Sequence, residues 1–114
     1  MADSSSQTGS IDPRAMGDIA SRLLLENDRV RIWELRLGAG LEGPIHRHDL
    51  DHVLIQISGD RIAVVPEPDT QSIDSEYLEA DVEPGSSLFV KKGVERARNV
   101  GRQEFHEIIV ELKD

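Results

Sequence analysis

The sequence predicts an all-β fold, a closed barrel or jelly roll, on three observations. Short apolar runs recur from about residue 18 onward, and each is bounded by Gly, Pro, Asn or Asp. No stretch carries the periodicity of a helix of any length. The runs amount to roughly eight or nine strands, enough to close a barrel.

In chain order, residues 1–17 (MADSSSQTGSIDPRAMG) are rich in Ser, Gly, Asp and Pro with little to bury, and read as a flexible N-terminal arm. Residues 18–114 form the barrel domain. Its strands are expected over Ile19–Leu25, Arg29–Leu37, Ile45–His48 and His52–Ile57. The Ser58-Gly59-Asp60 turn is expected to fold Arg61–Val65 back as a hairpin, which Pro66 and Pro68 then stop. Glu76–Val82, Ser87–Val90, Glu95–Asn99 and Glu104–Leu112 complete the set. In the last strand His106, Ile108, Val110 and Leu112 share one face, taken here as the core side, and Phe105, Glu107, Ile109 and Glu111 share the other. His52, Leu54 and Gln56 oppose Val53, Ile55 and Ile57, so that strand is covered on both sides. Trp33 and Phe89 read as core.

The formal charge of −9, from 13 basic and 22 acidic residues, would repel phosphate backbones and anionic membranes, so no nucleic-acid or membrane partner is expected. There are no cysteines, which leaves His, carboxylate and amide as metal ligands. No apolar run approaches the ~20 residues that span a bilayer, and no secretion signal opens the chain, so a cytoplasmic location is the default expectation.

His46 and His48 are two residues apart, which on a strand places both side chains on one face with Cα atoms about 6.5 to 7 Å apart. If Asp49-Leu50-Asp51 bends the chain, His52 brings a third imidazole from the neighbouring strand. Three neutral nitrogen ligands with open positions suit one divalent transition metal: Zn, Fe, Mn, Ni or Cu.

The spacing Gly40-x5-His46-x-His48-x3-His52-x6-Gly59 closely resembles the first motif of the cupin superfamily, with His52 where the family has Glu. LENDRVRIWELRLGAG is similar to the leading strands of small bacterial cupins, and Gly85-x5-Lys91-Lys92-Gly93 to the start of the second motif. The resemblance implies a cupin-type β-barrel over Asp18–Asp114, often a homodimer, with a metal held by motif histidines and a carboxylate. The second motif lacks its histidine. Counting forward from Gly93 puts Arg96 at that position, and counting back from Arg98-Asn99 puts Glu95 there. The first count is preferred, with Arg96 offering a fork to a substrate carboxylate and the three histidines forming the whole ligand set. Gln56 and His106 are further pocket candidates, His106 as a hydrogen-bond partner or acid/base near the metal. Asp49 and Asp51 are candidates to orient the imidazoles.

Two functions follow as expectations: a metal-dependent oxygenase, isomerase or lyase acting on a small polar organic molecule, or a non-catalytic barrel that binds a small anion. In either case Val53, Ile55 and Ile57, facing away from the pocket, predict a homodimer.

Overall fold

The structure, a computed structural model, describes residues 20–66 and 77–114. The arm expected over residues 1–17 lies outside them, as do Ile19 and Glu76, the first residues of two expected strands. Nine strands run through the described residues, and no helix does. They are β1 (Arg22–Glu26), β2 (Val30–Leu37), β3 (His46–His48), β4 (His52–Ser58), β5 (Arg61–Val65), β6 (Leu78–Asp81), β7 (Ser87–Val90), β8 (Gly93–Asn99) and β9 (Phe105–Leu112). A five-stranded sheet in the order β1-β2-β9-β4-β7 faces a four-stranded sheet in the order β3-β8-β5-β6. Every pairing is antiparallel.

The turn after β4 does not make a hairpin. β4 pairs with β9 and β7, whereas β5 pairs with β6 and β8 in the other sheet. Gly59, at φ +131°, turns the chain across the barrel where a Cβ would meet Phe105 Cα at 3.2 Å. Asp60 then holds the corner by accepting the backbone N–H groups of Arg61, Arg102 and Gln103. Arg102 and Gln103 lie in the loop before β9, so the corner is stabilised in part by a distant segment.

β9 is central in its sheet, with β2 on one side and β4 on the other. Its inward face is Phe105, Glu107, Ile109 and Glu111, all buried, and not the His106 set. Both faces of β9 carry apolar residues, so alternation alone does not choose between them. The two glutamates belong inside because the barrel interior is a polar site rather than a plain core. At one end Leu37, Val82 and Phe105 pack together, flanked by Leu35, Ile62 and Ala97. Asn99 closes this end: its Nδ2 donates to the carbonyls of Leu37 (2.9 Å) and Gln103 (2.8 Å), and its Oδ1 accepts from Gly101 N–H (2.9 Å).

The outward face of the five-stranded sheet carries an apolar row. Phe89 pairs with Val53, Val53 with Val110, Val110 with Ile32 and Ile32 with Leu25, one residue from each strand in order. Phe89 is 54% exposed on this row and is not core. No helix among the described residues is long and apolar enough to cross a membrane.

Asn99→Ala removes the donor to the buried Leu37 carbonyl and the partners of the Gln103 carbonyl and Gly101 N–H, and is expected to lower the unfolding free energy by about 1 to 3 kcal/mol. Urea denaturation measures this, and an unchanged midpoint would contradict the role given to Asn99.

Candidate metal centre

The centre forms where the two sheets meet. β3 belongs to the four-stranded sheet and places His46 opposite Glu95 and His48 opposite Gly93 on β8. The Asp49–Asp51 bend then crosses to the other sheet, where His52 opens β4 opposite Glu111 of β9 and Val90 of β7. Asp51 does not orient an imidazole: its Oδ1 accepts Lys92 N–H at 2.9 Å and fastens this bend to the turn before β8. The His-x-His pair and His52 thus approach from different sheets. His46, His48 and His52 are all buried.

Each imidazole is oriented through Nδ1 by an oxygen. His46 Nδ1 lies 3.2 Å from the Pro44 carbonyl, His52 Nδ1 3.0 Å from the Leu50 carbonyl, and His48 Nδ1 3.2 Å from Glu111 Oε2. A carbonyl or an ionised carboxylate can only accept, so the neutral rings carry their proton on Nδ1 and present a lone pair at Nε2. All three Nε2 atoms converge on one oxygen, Glu95 Oε1, at 3.7, 3.7 and 3.9 Å for His46, His48 and His52. These separations are too long for hydrogen bonds. They are close to the spacing, about 3.4 Å, of ligands sitting about 2.0–2.1 Å from a shared tetrahedral ion. The ligand atoms of His46, His48 and Glu95 all lie within 4.8 Å of one another. The Nε2 atoms of His48 and His52 are buried without a hydrogen-bond partner, a state that costs about 1–3 kcal/mol per group. The donor set therefore fits a divalent transition metal.

Glu111 supports the cluster. Fully buried, its carboxylate accepts Arg31 Nε–H and Trp33 Nε1–H, each at 2.7 Å, and His48 Nδ1–H. Burial works to raise its pKa, but the His48, Arg31 and Trp33 donors outweigh it and hold the carboxyl well below the usual range. Glu95 is also depressed: burial opposes its charge, and attraction to His46, His52 and His48 overcomes that. Burial dominates at His48 and lowers its pKa, with Glu111 partly compensating. At His52 the burial cost is outweighed by Glu95 and the Leu50 carbonyl, and the pKa rises. His48 and His52 stack with centroids 3.7 Å apart, so protonating one disfavours protonating the other.

The remaining candidates separate clearly. Glu95, not Arg96, faces the histidines. Arg96 borders a cavity that adjoins His46 and Glu95, but its Nε is 3.7 Å from Glu42 Oε2, and Arg98 contacts the same carboxylate at 2.9 Å. His106 is on the outer face of β9, 2.9 Å from Glu34 Oε2, and takes no part in the site. Gln56 lines the cavity, yet its Oε1 is engaged by Glu83 N–H (2.7 Å) and the Ser86 hydroxyl (3.2 Å), which fastens the turn between β6 and β7. Glu107 and Glu111, on the face expected to point outward, instead line the interior. The signal available was their interleaving with Phe105 and Ile109, which puts two carboxyls on a strongly apolar face.

Beyond the cluster the barrel holds a cavity of about 150 Å³ that reaches from His46 and Glu95 to Glu107. Glu107 is buried, and burial together with the charge of Glu95 pushes its carboxyl up to about 8.

No protein-family model matches the sequence, and no curated protein matches it. Solved structures do. A cupin domain from Bordetella pertussis Tohama I superposes with a TM-score of 0.66 at 22% identity, covering 86% of this chain and 100% of that one. An RmlC-like cupin family protein with a double-stranded β-helix fold, from Methanocaldococcus jannaschii, gives 0.64 at 18% identity over 95% and 91% of the chains. A DMSP lyase from Ruegeria pomeroyi gives 0.57 at 18% identity, covering 77% of this chain and 40% of that one. The fold is that of the cupins, a double-stranded β-helix.

A carboxyl whose folded pKa is raised binds a proton that the unfolded chain has released. Its stabilisation is complete below about pH 4.5 and is lost as pH rises toward 8. Metal-free wild type should therefore lose stability relative to Glu107→Gln across this window, by up to about 1.4 kcal/mol per pH unit. Parallel denaturant titrations from pH 5 to 9 measure the gap. A gap that does not change with pH would show that Glu107 titrates normally.

Proposed function

We propose that this protein is a small-molecule-binding cupin barrel that holds one divalent transition metal through His46, His48 and Glu95, with His52 completing the set. The observation that carries this reading is the approach of three Nε2 atoms to one carboxylate oxygen, each ring having an oxygen at its Nδ1. Three imidazoles and one carboxylate would fill four positions, and an ion that takes five or six ligands would keep room for substrate oxygens. The ion would supply Lewis-acid polarisation of a bound oxygen, which suits an oxygenase, isomerase or lyase acting on a small organic molecule. The alternative of a barrel that captures an anion with Arg96 is weakened by the contact of that side chain with Glu42.

Elemental analysis of untagged protein is expected to find about one metal per chain. His46→Ala with His48→Ala should abolish it, and Glu111→Gln should weaken affinity by about 10- to 100-fold by releasing His48. Metal-free protein, or equal loading in the double variant, would overturn the reading.

The same reading includes a homodimer formed over the apolar row on the five-stranded sheet. Phe89 and Leu25 lie at its two ends, 54% and 48% exposed, and a second copy would cover a row of this kind. Light scattering is expected to give twice the chain mass at micromolar concentration. Val53→Glu with Phe89→Glu should give a monomer that keeps its metal, and a monomeric wild type would contradict the assembly.

A further inference from the structure

The barrel interior contains a second carboxyl that the metal centre does not use. Glu107 is only 7% exposed, and among the described residues no donor reaches its carboxyl; burial and the field of Glu95 are what act on it. Its cross-strand neighbour Gln56 has its amide oxygen committed to Glu83 and Ser86. The Glu107 carboxyl borders the cavity rather than packed atoms, so a ligand there can reach it. Leu35, Leu54 and Ile109 form part of the wall, and Glu95 and His46 lie on the same cavity. Glu107 is four residues from Glu111 on one strand, about 13 Å along it, so it stands well clear of the carboxylate behind His48.

The cavity volume of about 150 Å³ is the size that accommodates a benzene-sized molecule. Arg96 also borders this apolar cavity, but its Nε is 3.7 Å from the Glu42 carboxylate; the carboxyls of Glu95 and Glu107 disfavour an anion, and a protonated carboxyl can both donate and accept.

We propose that Glu107 is the polar anchor of a ligand pocket that takes a neutral, ring-sized organic oxygen compound, a phenol, cyclic alcohol or cyclic ketone. The ligand's body lies against Leu35, Leu54 and Ile109, and its oxygen hydrogen-bonds the Glu107 carboxyl. The pocket stands whether or not an ion occupies the histidine cluster, so it is tested apart from the metal.

Chelator-treated protein is titrated with phenol and with benzene, following backbone amide shifts by NMR. Wild type is expected to bind phenol at least tenfold more tightly than benzene, with the largest shifts at Leu54, Glu107 and Ile109. Glu107→Leu should abolish that preference, because a site built to pair with a hydroxyl discriminates through the group left unpaired. Glu107→Gln, which keeps a donor and an acceptor, should retain most of it. Where Glu107→Leu does not fold, Glu107→Met serves in its place. Equal phenol and benzene affinities in wild type, or a phenol preference unchanged in Glu107→Leu or Glu107→Met, would overturn the proposal.

Discussion

A carboxylate removed from water must be met by donors, and Glu111 is met by three. Arg31 and Trp33 donate to one of its oxygens and His48 lies against the other, and the rest of the centre depends on that arrangement. Because Arg31 and Trp33 keep Glu111 ionised, it can only accept from His48, which fixes the proton of that ring on Nδ1. His52 stacks on His48, so the second ring plane is constrained by the first. A protonated Glu111, or one without its two flanking donors, would let His48 rotate and would disturb the stack. Removing a single partner of such a buried charged group is far more costly than the group's net contribution to stability.

The fold delivers these parts by crossing between sheets twice in a short length of chain. Asp49–Asp51 carries the chain from β3 to β4, and Gly59-Asp60 carries it back to β5. The first crossing brings His52 to face the His-x-His pair. The second leaves β4 free to pair with β9, which places Glu107 and Glu111 on the inward face. One strand thus packs the closed end with Phe105, lines the cavity with Glu107 and Ile109, and supports the metal centre with Glu111. The cavity separates two carboxyls of opposite character: Glu95 is held ionised by histidines, and Glu107 is pushed toward neutrality.

Much of this was legible in the residues alone. The spacing from Gly40 to Gly59 pointed to the barrel through its resemblance to the cupin motif, and it placed His46, His48 and His52 near one another. The strand bounds at Arg61–Val65 and Ser87–Val90 followed from flanking Gly, Pro and Asp. Two features were not legible, for related reasons. Alternation says which residues share a face but not which face looks inward, and β9 carries aliphatic side chains on both. The usual preference of polar residues for solvent then points the wrong way, because this interior is built to hold charge. That put His106 inside when it pairs with Glu34 outside, and it hid Glu107 and Glu111. The choice between Glu95 and Arg96 rested on register, and register is set by the pairing of β8 with β3. The hairpin expected at Gly59 failed because a tight turn in sequence also serves as a corner between sheets.

Oxygen acceptors at Nδ1 leave the Nε2 atoms of His46, His48 and His52 facing one site beside Glu95. Nitrogen-15 NMR of the histidine side chains, recorded with and without one equivalent of zinc, tests it most directly. His46, His48 and His52 are expected to keep their proton on Nδ1 in the zinc-bound protein while their Nε2 signals move on zinc addition, and His106 is expected not to respond. Zinc bound through Nδ1, or Nε2 signals that ignore zinc, would contradict it.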